Sequence, residues 1–99
     1  MAVVFVSAVI TAKPGRGGDL ERELRAVIPA VRSESGCQRY DLHRAGDGLC
    51  FLFYETWESP AHLEAHAGSE HMAAMHRATA DMVAGPADVS IWEDVDVLR

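Results

Sequence analysis

Apolar residues fill almost every position from Val3 to Ala12, the pattern of a strand that meets water on neither face. Lys13-Pro14-Gly15 ends that run. From Asp19 to about Ser35, Leu20, Leu24, Val27, Ile28 and Val31 recur at helical spacing, with charged residues opposite, and Gly36 supplies a stop. Pro29 lies inside this stripe and should kink or distort its last turns. Cys37 to Arg44 and Leu49 to Trp57 flank Ala45-Gly46-Asp47-Gly48, which predicts a β-hairpin whose register is open by one residue. Ser59-Pro60 reads as an N-cap and a first-turn proline, so a short helix should run from Pro60 to about Ala67. Gly68-Ser69 breaks and recaps the chain. A further helix from Glu70 to about Ala84 carries Met72, Met75, Thr79, Met82 and Val83 on one side, Gly85-Pro86 ends it, and Val89 to Val97 alternates into a last strand.

The order β-α-β-β-α-β, with its second helix broken, is the split-βαβ or ferredoxin-like α+β arrangement with a four-stranded antiparallel sheet. Helices on one face leave the other bare, yet the first, third and fourth strands carry bulky apolar residues at both parities. A second copy is the simplest cover, so a homodimer packed sheet on sheet, a dimeric α+β barrel, is expected.

Ninety-nine residues, 48% hydrophobic and 24% charged, suit one domain spanning 1–99. The net charge of -6, with no basic stripe, argues against a nucleic-acid partner. No apolar run approaches the roughly 20 residues of a membrane span, and the start lacks a basic leader, so a soluble cytoplasmic protein is expected. Cys37 and Cys50 fall towards opposite ends of the hairpin, which forbids a bridge between them and suits a reducing compartment.

Gly36-Cys37-Gln38-Arg39-Tyr40-Asp41-Leu42, then Tyr54-Glu55-Thr56-Trp57-Glu58-Ser59, then His66 with Ser69 and His71, then Gly85-Pro86, form an ordered set over nearly the whole chain. In this set the sequence resembles the antibiotic biosynthesis monooxygenase family. The resemblance implies a site between sheet and helices, at the end of the third strand and the broken second helix. Similar proteins include cofactor-free oxygenases of quinols and anthrones, haem-degrading enzymes and a sugar-phosphate isomerase. The fold alone does not choose among these chemistries.

The leading expectation is a monooxygenase that needs no cofactor and no metal and oxidises a small quinol, phenolic or anthrone-like aromatic with O2. A deprotonated electron-rich arene donates the first electron itself, so the protein supplies a base and a dry slot. Histidine, with an ordinary pKa near 6.5, is the side chain best matched to that task at neutral pH. His66 and His71 bracket the helix break and are the candidate catalytic pair, although both positions also suit capping or boundary histidines. Trp57 is expected to wall the pocket or to pack in the core. Glu55 either orients a histidine or pairs with Arg39, the salt bridge being preferred. Tyr40, Tyr54 and Ser7 are candidate substrate contacts, each of which also fits plain packing.

His62 and His66 stand at i, i+4, which is metal-ligand spacing, but no third ligand is evident and His62 reads as solvated. His76 matches the axial histidine of haem-degrading relatives. Those relatives also carry an asparagine and a tryptophan, at the positions of Ser7 and His66 here. Anthrone oxygenases share Trp57 and Glu58-Ser59 but carry an asparagine near Phe53. Two alternatives to the oxygenase therefore stand beside it: a non-catalytic module binding a hydrophobic metabolite, and a haem-binding or haem-degrading protein.

Overall fold

In the computed structural model, which describes residues 2–98, the opening apolar run becomes β1 (Val4–Thr11). The chain continues through α1 (Gly17–Arg32), β2 (Cys37–Arg44), β3 (Cys50–Trp57), α2 (Pro60–Ala67), α3 (Glu70–Thr79) and β4 (Asp88–Trp92). The strands form one antiparallel sheet in the order β2-β3-β1-β4, which is the expected ferredoxin-like α+β fold.

β1 is an inner strand paired along both edges, and this explains its lack of polar alternation. Its register on β3 runs from Val4 opposite Trp57 to Thr11 opposite Cys50. Val4, Val6, Ala8 and Ile10 face the helices together with Phe51, Phe53, Glu55 and Trp57 of β3, all of them buried. The α1 stripe meets them: Leu20, Leu24 and Val31 are at most 1% exposed. At about 25 cal/mol per Å² of apolar surface, each such leucine contributes roughly 2 kcal/mol from burial.

The hairpin register is set by an irregularity between Cys37 and Arg39. Tyr40 then lies opposite Glu55, with its side chain in the core, while Arg39 is exposed and lies over the Tyr54 ring, 6.0 Å from its centroid. Ser59 caps α2 by accepting the His62 amide, with Pro60 in the first turn.

Three boundaries differ from the sequence expectation. α1 passes through Pro29 without a break and stops at Arg32, where the Ser33 hydroxyl donates to the Pro29 carbonyl at 2.9 Å. α3 ends at Thr79 rather than near Ala84, because the following segment is captured by β1. The Lys13 amide donates to the Met82 carbonyl and the Ala84 amide to the Thr11 carbonyl, both at 2.8 Å, around an Ala12–Val83 bridge. β4 ends at Trp92 rather than Val97, because its partner β1 runs out: Trp92 already faces Phe5, one residue from the start of β1.

Candidate active site

Between the helices and the sheet lies a cavity of about 330 Å³, at the small end of the roughly 300–1,000 Å³ typical of small-molecule sites. Val6, Ala8 and Phe53 form its floor, Met72 and Met75 of α3 its roof, and the segment Gly85-Pro86-Ala87 with Val89 one side. The lining is mostly apolar. Its polar side chains are Tyr40, Glu55, His66, His76 and Thr79, and the Thr79 hydroxyl is already turned onto the Met75 carbonyl at 2.9 Å.

His66, on the last turn of α2, is 4% exposed. Its Nδ1 lies 2.8 Å from Oε2 of Glu34, a residue in the turn after α1. The Trp57 ring is tilted against the imidazole at a centroid distance of 4.5 Å, and Tyr40 meets it edge-on at 5.6 Å. The ring is therefore fixed in both position and orientation. With Glu34 ionised, hydrogen-bond accounting puts the ring hydrogen on Nδ1 and leaves Nε2, 3.9 Å from Glu55 Oε1, as an acceptor.

His71, in the first turn of α3, brings Nε2 to the same Glu34 oxygen at 2.7 Å. One carboxylate oxygen thus joins two imidazoles across the helix break. The donor atoms of Glu34, His66 and His71 all lie within 4.8 Å of one another.

Glu55 is buried at 4% exposure, and its Oε1 accepts the Trp57 indole hydrogen at 3.0 Å. The same oxygen is 3.9 Å from His66 Nε2. Burial pushes the Glu55 carboxyl above its ordinary range; the Trp57 bond and the His66 charge oppose this, and the Glu34 charge reinforces it. Burial likewise drives the Tyr40 phenol far up, with Glu55 and Glu34 adding to the effect, so it is held as a neutral hydroxyl. Its ring stacks on Phe53 at 4.4 Å.

The structure brings Tyr40, Glu55, His66 and His76 to one cavity. His71 stands behind His66 through Glu34 rather than at the cavity wall. Trp57, 0% exposed, also lies outside the wall, and supports the His66 ring from behind. Ser7 and Tyr54 pair across β1 and β3 on the opposite face of the sheet. Neither reaches the cavity, and Ser7 accepts the Trp92 indole hydrogen at 2.8 Å. Ser7 is thus divided by the sheet from His66 and His76, so the three positions compared with haem-degrading relatives do not meet in one pocket.

The preferred Glu55–Arg39 salt bridge does not form, because Arg39 projects to the other face and pairs with Asp41 at 2.7 Å. His62 turns its Nδ1 to the Ser59 hydroxyl at 2.7 Å, away from any shared site with His66. Glu34 is the member of this candidate site that the sequence does not reveal. In Arg32-Ser33-Glu34-Ser35 it looks like a solvated helix-end carboxylate, and only the packing of α2 and α3 over it makes it internal.

Fold and site together define an α+β protein with a carboxylate-braced imidazole beside an apolar cavity. The chain belongs to the antibiotic biosynthesis monooxygenase family, whose profile matches residues 3–78, and monooxygenase activity is what that membership supports. Among known proteins it is 29% identical over 93 residues to the "Putative monooxygenase Rv0793" of Mycobacterium tuberculosis, covering 94% of this chain and 92% of that one. The solved structure of Rv0793 superposes with a TM-score of 0.90 at 28% identity, over 99% of this chain and 100% of the other. The crystal structure of PA3566 from Pseudomonas aeruginosa does so with a TM-score of 0.90 at 33% identity, over 97% of each chain.

Proposed function

We propose that the chain is a cofactor-independent monooxygenase of small electron-rich aromatics, quinols, phenols or anthrone-like compounds, with His66 as the general base. One observation carries this reading: a buried imidazole that lines an apolar cavity and is braced through Nδ1 by Glu34. His66 Nε2 takes the substrate proton, and the resulting anion reduces O2 directly. For an anthrone methylene the sum is CH2 + O2 → C=O + H2O, in which the substrate supplies all four electrons. In this reading Tyr40, a neutral phenol lining the cavity, donates to the developing oxyanion. Met72, Met75 and Phe53 exclude water while admitting O2.

Oxygen uptake on a panel of hydroquinones and anthrones tests this. His66→Ala should lower turnover by about 10²- to 10⁴-fold, the usual contribution of a positioned general base. Unchanged turnover in folded His66→Ala protein removes His66 from the reaction. Tight binding without turnover in air would instead make the cavity a metabolite-binding module. A Soret shift on haem titration would revive the haem alternative.

The working form in this proposal is a homodimer of one-domain chains, housed in the cytoplasm. Val95 and Leu98 are 98% exposed, and Trp92, opposite Phe5 on the helix-free face of the sheet, is 55% exposed, apolar side chains that a partner copy would cover. No helix among the described residues is long and apolar enough to cross a membrane.

A further inference from the structure

We infer that Glu34, His66 and His71 form a binding site for one late first-row divalent cation, Zn²⁺ or Co²⁺ in chemical class. The three ligands come from three separate segments: the turn after α1, the end of α2 and the start of α3. Their donor atoms converge within 4.8 Å, with both imidazoles aimed at a single carboxylate oxygen, at 2.8 and 2.7 Å. With metal–ligand bonds of about 2.0–2.1 Å, tetrahedral ligands stand roughly 3.4 Å apart. Reaching the second value from the first requires each contact to lengthen by roughly 0.6 Å. Two imidazoles with one carboxylate suit these cations better than Mg²⁺ or Ca²⁺, which take oxygen ligands.

The surroundings are also built for it. The His66 ring is held by Trp57, and its far nitrogen faces Glu55 Oε1 at 3.9 Å. With a cation on Nδ1, the ring hydrogen moves to Nε2, on the side of the ring that faces Glu55; at 3.9 Å the two groups are neighbours, not hydrogen-bonded. The His66 and Glu34 side chains are 5% and 14% exposed, whereas that of His71 is 32% exposed. His71 therefore gives the cation its way in from solvent, and water completes the coordination on that side.

Cation binding and proton abstraction use opposite tautomers of His66. A cation on Nδ1 leaves a hydrogen on Nε2, so the occupied state presents a donor, not a base, to the cavity. This consequence rests on the oxygenase reading; the site itself does not.

The test needs no turnover. Chelator-treated protein is titrated with Zn²⁺ by calorimetry and with Co²⁺ by visible absorption. Binding of one cation per chain is expected, with Co²⁺ bands of a low-coordinate nitrogen–oxygen site. Glu34→Gln and His71→Ala should each weaken binding by at least about 10-fold, while His62→Ala and His76→Ala leave it unchanged. Glu34→Gln is nearly isosteric and His71 is partly exposed, so at least one of these variants reports on a folded chain. Absence of one-to-one binding, or wild-type affinity in both Glu34→Gln and His71→Ala, overturns the assignment.

Discussion

Glu55 and Trp57, two residues apart on β3, are joined side chain to side chain inside the core, the carboxylate accepting the indole hydrogen at 3.0 Å. Losing that acceptor leaves a buried N–H without a partner, which costs about 1–3 kcal/mol. Glu55→Ala should therefore lower stability in urea by about that amount, whereas Glu55→Gln keeps an amide oxygen in place and should cost less. Equal losses in the two variants would assign the effect to lost volume instead.

The same carboxyl makes stability depend on pH in a defined direction. Its folded-state pKa is raised above the ordinary 4.5, so the folded chain holds that proton more tightly than the unfolded chain. The stabilisation is complete below the ordinary value and is lost as pH rises through the folded value. Denaturation midpoints taken from about pH 4 to about pH 8 should show Glu55→Gln gaining on the wild type as pH increases. A gap that does not change with pH would contradict the shift.

Gly36 adopts φ +80, and a Cβ there would collide with the His62 ring. Gly36→Ala should cost about 2–4 kcal/mol, the sum of left-handed backbone strain and overpacking. Adding His62→Ala removes the ring contacts but keeps the residue 62 Cβ, 2.8 Å from the new one, so it should recover only part of the collision cost and leave the backbone strain of roughly 1–2 kcal/mol in place. Thermal melts of the two variants decide this, and a double variant no more stable than Gly36→Ala would exclude the His62 ring as a source of the cost.

In the proposed reaction Glu34 acts on substrate only through His66, as a positioning residue. Glu34→Gln should lower kcat by about 10²-fold, within the range of general acid–base contributions, with KM little changed because the cavity wall is untouched. A rise in KM alone would assign Glu34 to binding.

Val95 and Leu98 touch almost nothing within their own chain. The double change Val95→Asp with Leu98→Asp should leave the fold of the single chain intact and shift sedimentation from dimer to monomer. A species of the same size before and after would exclude this end of the chain from the interface.

Much of the architecture was legible because its signals are local. Ser59-Pro60 placed the start of α2 correctly, since capping and first-turn proline geometry involve only adjacent residues. The end of α3 was not legible, because Ala80 to Ala84 are acceptable helix formers, drawn out of the helix by hydrogen bonds to β1 some 70 residues earlier. In the site, His66 stood out through its place in the motif. The sides taken by Ser7 and Tyr54 depended on a strand register that the sequence left open, and β2 carries an irregularity that simple alternation cannot foresee. Glu34 was invisible for a further reason: its partners lie 32 and 37 residues away, and nothing nearby distinguishes it from the exposed acids around it.

The connection from α3 to β4 is bolted at one end, where Met82 and Ala84 bond to the extension of β1, while Gly85-Pro86-Ala87 beyond it border the cavity. Lengthening or shortening that free stretch would resize the chamber while leaving the Glu34–His66 contact, which is built from other elements, in place. In the proposed reaction, ligand dimensions and proton transfer are therefore governed by separate stretches of the chain.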